Sequence, residues 1–181
     1  KPDEVLPEFI TKVANSGCGV FIIHARKALL QGLSPKDNRI IPALQYPLVY
    51  EMQKNFPGLD IILNGGLTDL KEMKSCVKNR VAGVMIGREA YQNPSILLNV
   101  DNEIFDQKEK VRSMKEVIRN MIEYCNREKA EGTAIKGILK HLKGAFKGQA
   151  NSKEFKRLLF CNEKTDLEKL EKLSNLVSIY C

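Results

Sequence analysis

The chain has 181 residues, of which 43% are hydrophobic, and it carries a formal net charge of +7. This length predicts one domain, or a domain with an appendage, that buries a core of its own. No run approaches the roughly 20 apolar residues of a membrane span and no signal-peptide pattern is present, so we expect a cytoplasmic protein without a membrane partner. Because the chain opens at Lys1 rather than Met, we expect any native N-terminus and targeting segment to lie upstream.

The cysteines lack the paired spacing of a zinc site or of a disulfide framework. They are Cys18, Cys76, Cys125, Cys161 and Cys181. Their odd number and spacing favour reduced, intracellular thiols, and Cys18 and Cys125 fit small core residues. No metal is expected.

The first 101 residues predict consecutive βα units. In order, the predicted elements are a helix over 2–16, a strand over 18–23, a loop over 28–42, a helix over 46–55, a strand over 61–63, a helix over 68–78, a strand over 81–86 and a short helix over 95–100. The short, continuous, β-branched strands are typical of strands buried on both faces. Successive βα units predict a parallel sheet with right-handed crossovers.

Glycines and polar residues follow the predicted strands. Asn64–Gly66 follows one strand and Gly87-Arg88 follows the next, so backbone N–H groups are expected at one sheet edge, where an anion such as phosphate can bind. Arg88 could add a bidentate charge. The alternative is two turns that only close βα loops, with Arg88 in a salt bridge. His24 ends the first strand at the same edge, either as a ligand-binding group or as a satisfied core histidine.

From Glu103 onward the pattern is helical only, which places a boundary near Asp101. A long amphipathic helix carries an apolar stripe from Val111 to Cys125, a second runs from Ile135 to Phe146, and two more begin near Ser152 and Thr165. Within this part, residues 132–160 hold seven basic residues against one acidic residue, a net charge of +6. Such a basic surface suits a polyanion, although a solvated lysine face gives the same composition.

Three motifs carry a family resemblance. They read VFIIHARKALLQGLSPKDNRIIPAL, LNGGLTDL and GVMIGREAYQNP. With them the chain resembles the tRNA-dihydrouridine synthases, most closely the A-type subfamily. The resemblance implies an α/β fold, namely the C-terminal part of a (β/α)8 TIM barrel that binds FMN (strands six to eight, residues 1–101), followed by an all-helical tRNA-binding bundle (residues 102–181).

The resemblance also implies roles for individual residues. The cofactor-binding set is His24, Asn64, Gly65, Gly66, Gly87 and Arg88. The tRNA-binding set is Arg26, Ser34, Lys36, Asp37, Asn38, Arg39, Lys153, Lys156 and Arg157.

The implied reaction reduces the C5–C6 double bond of specific uridines in tRNA, with NADPH as reductant of the flavin. The family's catalytic cysteine belongs to the first half of the barrel, and none of the five cysteines here stands in that motif. We therefore expect the chain to be the C-terminal portion of a longer enzyme, with a partial barrel whose edges could pair with another chain. Two other functions fit the residues: an FMN-dependent barrel oxidoreductase acting on a small molecule, of the dihydroorotate-dehydrogenase kind, and a non-catalytic RNA-binding module.

Overall fold

Three short parallel strands form a sheet in the first half of the chain. The computed structural model describes residues 2–29, 31–108, 110–150, 152–161 and 165–180, with the backbone alone at 179 and 180. Strand β1 spans Val20–His24, β2 spans Asp60–Asn64 and β3 spans Gly83–Met85. They lie in the order β1-β2-β3, and both neighbouring pairs are parallel, which confirms the predicted parallel sheet.

Helices precede and connect these strands. Helix α1 (Pro2–Ala14) precedes β1, α2 (Tyr46–Asn55) leads into β2, and α3 (Leu70–Lys78) leads into β3. In the described part of the loop between β1 and α2, Asp37–Arg39 forms a 3-10 turn. Each element lies within a few residues of its predicted position because apolar periodicity and turn residues are local signals.

The start of α3 is set by Asp69. Its carboxylate accepts hydrogen bonds from the backbone N–H groups of Lys71 and Glu72, at 2.8 and 3.1 Å. A capping carboxylate satisfies N–H groups that have no partner within the helix. The helix therefore begins at Leu70 and not at the predicted Thr68.

Only one face of β1 is covered. Helix α2 packs on β2 and α3 on β3, and Phe21, Ile61 and Leu63 are buried beneath helices. On the opposite face Val20 and Ile22 are 52% and 56% exposed. The prediction that β1 is buried on both faces is therefore wrong for this chain, because an apolar run does not reveal which segment supplies the covering layer.

Polar strand ends lie on the uncovered face. Parallel register pairs Ile22 with Ile62, His24 with Asn64, and Asn64 with Met85, and paired residues of a sheet project to the same side. We call this surface the open face, defined by Val20, Ile22, His24, Asn64 and Met85. It combines an apolar middle with a polar end.

Among the cysteines, Cys76 and Cys125 are buried, whereas Cys18 is exposed. The prediction for Cys125 is thus confirmed and that for Cys18 is wrong, because Cys18 lies in the exposed segment between α1 and β1. Cys181 lies outside the described residues.

The chain divides into two compact units, Lys1–Ile86 and Gly87–Cys181. The helices of the second unit are α4 (Arg88–Gln92), a 3-10 helix over Pro94–Asn99, α5 (Val100–Glu103), α6 (Met114–Ala130), α7 (Ile135–Leu139), a 3-10 turn over Lys140–Leu142, α8 (Ser152–Phe160) and α9 (Asp166–Tyr180). The boundary predicted near Asp101, and with it a separate helical domain, stays a prediction.

Two of these helices are shorter than predicted. Ser113 and Glu116 form a capping box at the start of α6, so the helix begins after Val111, which is 41% exposed. The helix predicted from Ile135 to Phe146 is a regular α-helix only over α7 and continues as the 3-10 turn Lys140–Leu142, and the poor helix former Gly144 follows.

Helices α6 to α9 share one apolar core. Its fully buried members include Ile118 on α6, Ile135 on α7, Phe155 on α8 and Leu173 on α9. Phe155 packs edge-to-face against Phe146, with ring centroids 4.7 Å apart. In the part of the chain that the structure describes, no helix is long and apolar enough to cross a membrane, and no three His, Cys, Asp or Glu side chains are grouped so that they could hold a metal ion.

Replacing Phe155 by Ala is expected to destabilise the second unit strongly. The side chain is 1% exposed, and removing a buried phenyl ring typically costs about 3–5 kcal/mol. Phe160→Ala on the same helix is the matched control, because Phe160 is 46% exposed and its loss should cost less than about 1 kcal/mol. Urea denaturation of both variants provides the test, and equal losses would contradict this packing.

Candidate functional site

One side chain joins the ends of all three strands. Asn64 Oδ1 lies 2.6 Å from His24 Nδ1 on β1, and Asn64 Nδ2 donates to the carbonyl oxygen of Met85 on β3 at 2.7 Å. The register brings these residues together, because Asn64 pairs with both His24 and Met85. The structure places His24 and Asn64 next to each other at one sheet edge, as predicted.

These contacts define the proton position on His24. The Met85 carbonyl can only accept a hydrogen bond, so the NH2 group of Asn64 must face it and the amide oxygen must face His24. His24 Nδ1 therefore carries the hydrogen. Its Nε2 is then an acceptor in the neutral ring and a donor in the protonated ring, and it is the nitrogen that remains for a ligand.

The Gly65-Gly66 turn follows directly and requires glycine. The φ angles are +124° and +69°, in the region that side chains with a Cβ rarely adopt. A Cβ at Gly66 would also lie 2.7 Å from Leu44 Cδ1. Gly66 is exposed, so this turn presents backbone at the end of the open face.

Arg26 ties the following loop to the strand end. Its Nη1 donates to the carbonyl oxygens of Ile40, at 3.2 Å, and of Pro42, while its backbone forms an isolated antiparallel bridge with Leu44. The side chain is half-buried, and its Nε is a buried atom without a hydrogen-bond partner. The guanidinium thus contacts its own loop, and its predicted role in binding tRNA stays a prediction.

The predicted RNA-contacting loop is braced by its own polar side chains. Ser34 Oγ donates to Asp37 Oδ2 at 2.6 Å. Asn38 accepts from the Leu29 N–H at 2.7 Å and donates to the Leu29 carbonyl at 2.8 Å. Three of the predicted residues therefore shape the loop. Lys36 and Arg39 are its exposed basic residues.

Gly87 and Arg88 open the second unit. Arg88 is exposed and is the first residue of α4. Gly87 has φ of −118°, and a Cβ there would meet nothing within 4 Å, so neither conformation nor space demands glycine at this position. The predicted phosphate contact by these two residues stays a prediction.

The predicted basic residues of α8 share one side of the helix. Lys153 and Arg157 are exposed and Lys156 is partly exposed, whereas Phe155, Leu158 and Leu159 are buried. Spacings of three and four residues bring side chains together on a helix surface. We call Lys153, Lys156 and Arg157 the basic strip of α8.

Tyr46 is a site residue that sequence reasoning missed. Its hydroxyl donates to the carbonyl oxygen of Gly65 at 2.6 Å and so braces the glycine turn from α2. Burial, together with the nearby Glu72 carboxylate, raises the pKa of Tyr46 to about 12. Tyr50, which donates to Cys76 Sγ at 3.3 Å, also has a raised pKa through burial and that hydrogen bond. No local pattern connects a tyrosine with a turn 19 residues away.

The fold and the strand ends define an α/β protein of consecutive βα units with a polar site at the ends of parallel strands. A family model described as dihydrouridine synthase (Dus) matches residues 2–178. The chain therefore belongs to the dihydrouridine synthase family, which confirms the resemblance found in its motifs, and its sheet fits part of a (β/α)8 barrel.

Similar curated proteins carry one name. The chain is 44% identical over 179 residues to the tRNA-dihydrouridine(20/20a) synthase of Escherichia coli (strain K12), covering 97% of this chain and 52% of that protein. It is 40% identical over 178 residues to that of Pasteurella multocida (97% and 54%) and 44% identical over 155 residues to that of Vibrio cholerae (85% and 47%). The chain thus spans about half the length of these relatives.

Replacing Tyr46 by Phe is expected to change how stability depends on pH. Because the folded-state pKa of about 12 lies above the usual value of about 10, the hydroxyl stabilises the fold fully below about pH 10. This contribution is lost as the pH rises towards 12. The difference in unfolding free energy between the native chain and Tyr46→Phe should therefore shrink over that interval. Chemical denaturation at several pH values measures this difference, and a constant value would argue against the hydrogen bond.

Proposed function

We propose that this chain supplies the closing strands of an FMN-binding barrel in an enzyme that reduces specific uridines of tRNA to 5,6-dihydrouridine. The observation that carries the proposal is the open face, which ends in His24, Asn64 and the Gly65-Gly66 turn, in a member of the dihydrouridine synthase family. The names of the similar proteins support tRNA as the substrate class.

The exposure of the sheet supports a barrel interior. Helices cover the side of Phe21 and Ile61, as on the outside of a (β/α)8 barrel, while Val20 and Ile22 on the other side are exposed. Barrel interiors are filled by side chains from all strands, so three strands leave such residues uncovered. We propose that these are strands six to eight and that the preceding strands of the complete enzyme cover them.

The strand ends fit the phosphate end of a flavin cofactor. We propose that His24, Asn64, Gly65 and Gly66 hold FMN together with Gly87-Arg88. Gly66 offers exposed backbone beside the buried Gly65, and His24 offers Nε2 while Asn64 fixes its ring. Bound FMN, recharged by NADPH, supplies the hydride chemistry. The residues of this chain bind and orient the cofactor.

The proton donor of the reaction is proposed to lie outside this chain. Protonation of the uridine ring needs an acid near the flavin. Cys18 lies just before β1, at the strand end opposite to His24. Cys76 and Cys125 are buried, and the partly buried Cys161 donates to the Leu158 carbonyl at the end of α8. Burial also raises the pKa of Cys125, which suits a structural thiol.

Two basic surfaces are proposed to bind tRNA. The basic strip of α8 presents three cationic side chains that are not part of the apolar core. The loop after β1 presents Lys36 and Arg39. Lysine and arginine contacts to phosphates position a nucleic acid rather than read its bases. Ser34, Asp37 and Asn38 would act on tRNA through the shape they give the loop, and Arg26 through the position it gives the loop.

Neutralising the basic strip is expected to weaken tRNA binding and its salt dependence. In the triple variant Lys153→Gln, Lys156→Gln and Arg157→Gln, the slope of log affinity against log salt should fall in magnitude by about 2–3, since each lost phosphate contact removes roughly 0.7–0.9. The control carries Lys54→Gln, Lys71→Gln and Lys78→Gln, all exposed lysines, with the same change in charge. Fluorescence anisotropy with a tRNA transcript measures both. Equal effects would indicate non-specific attraction and contradict this surface.

The 181-residue chain alone is expected to show no turnover, because we propose that the proton donor and the preceding strands of the barrel lie in another segment. Unmodified tRNA would be incubated with the chain, FMN and NADPH, and dihydrouridine would be quantified by mass spectrometry. The synthase of Escherichia coli (strain K12), treated in parallel, is the positive control. Dihydrouridine formed by the isolated chain would refute the assignment of the proton donor to another segment.

A further inference from the structure

The short helix α4 is held at three points by one stretch of the second unit. Lys147 Nζ lies 3.2 and 3.3 Å from the two carboxylate oxygens of Glu89. His141 Nδ1 lies 3.2 Å from the Tyr91 hydroxyl, with the two rings edge-to-face at 5.8 Å. Gly144 packs against the backbone of Gln92. We call these three contacts the α4 clasp.

The ion pair of the clasp involves a mostly buried carboxylate. The side chain of Glu89 is only 10% exposed, whereas that of Lys147 is 46% exposed. Glu89 also accepts a hydrogen bond from Asn93 Nδ2 at 2.9 Å. Removing the cation from a buried pair leaves an uncompensated charge, which costs more than the pair itself contributes. Loss of the Lys147 cation is therefore expected to destabilise this region more than loss of the Glu89 carboxylate would.

The central contact of the clasp excludes any side chain. A Cβ at Gly144 would lie 2.5 Å from the carbonyl oxygen of Gln92 and 2.7 Å from that of Tyr91. Both are backbone atoms, so they cannot rotate away as the tip of a side chain would. Glycine is required at position 144 by the lack of space and not by the backbone conformation, since the φ angle of Gly144 is not positive.

Helix α4 depends on these contacts for its position. It has five residues, and a helix of that length is not stable in water without tertiary packing. His141, Gly144 and Lys147 recur every third residue, so one side of this stretch supports the whole helix. Arg88 is the first residue of that helix.

We propose that Glu89, Gly144 and Lys147 are positioning residues that fix Arg88 for the phosphate of the flavin cofactor. This inference rests on the phosphate role of Arg88 given under the proposed function. It also assigns different roles to the basic residues of the 132–160 segment. Lys147 is committed to α4, while the basic strip of α8 remains for RNA.

The test combines amide exchange with ligand titration on the 181-residue chain. The variants are Lys147→Met, which removes the cation, and Lys147→Arg, which keeps it; Lys143→Met, an exposed lysine of the same turn, is the control. Hydrogen exchange is followed at the amides of Tyr91 and Asn93, which bond to Gly87 and Glu89. FMN and riboflavin, which lacks the phosphate, are titrated while the amide resonances of Gly87 and Arg88 are recorded by NMR.

We expect Lys147→Met to raise exchange at both amides about tenfold or more, as local opening becomes easier, and to weaken FMN binding several-fold. Riboflavin binding should not change. Lys147→Arg and Lys143→Met should behave as the native chain, and Lys147→Met should lower the thermal midpoint of the second unit by less than Phe155→Ala does.

Two negative outcomes are distinguishable. If exchange at α4 rises in Lys147→Met while FMN affinity stays equal to that of the native chain, the clasp exists but does not position Arg88, and this inference is overturned. If FMN shifts the amide resonances of Gly65 and Gly66 in the native chain but those of neither Gly87 nor Arg88, the assignment of Gly87 and Arg88 to the phosphate in the proposed function is wrong whatever the exchange shows. Unchanged exchange in all variants would refute the clasp itself.

Discussion

The hydrogen bonds of the Asn64 side chain are the constraint on which the proposed site depends. A single amide uses its oxygen towards His24 and its NH2 group towards the Met85 carbonyl, and so it sets the relative position of three strand ends. The same contacts select the hydrogen on His24 Nδ1. The glycine turn that follows is braced by Tyr46, so the groups of the proposed site are held by residues from β1, β2, β3 and α2 together.

The elements that build the site differ in how completely their apolar sides are covered. Helices bury one face of the sheet, and the second unit buries a core of its own, but the open face keeps Val20 and Ile22 exposed. A surface with apolar residues in its middle and polar residues at one end matches the interior of a barrel below its mouth. The exposure of this face therefore fits a partial (β/α)8 barrel in a member of the dihydrouridine synthase family.

The sequence predicted the features that depend on neighbours in the chain. Strand runs and the Asn64–Gly66 turn are local patterns, and they located His24 and Asn64 at one edge because parallel strands end together. Pairings between distant residues left no such pattern. The Glu89–Lys147 pair joins positions 58 apart, and the guanidinium of Arg26 reaches the far end of its own loop. The prediction that β1 is buried on both faces failed for a related reason, since the hydrophobicity of a strand does not specify which segment covers it.

The hydrogen bonds within the loop after β1 affect how much conformational entropy the loop loses on binding. Arg26 closes the base of the loop, and Asn38 bonds across its middle to Leu29, so a long flexible segment is divided into shorter closed ones. Each such closure is made during folding and not during binding. Lys36 and Arg39 are then displayed on a loop that is already ordered, and association with a polyanion need not include the cost of ordering the backbone that carries them.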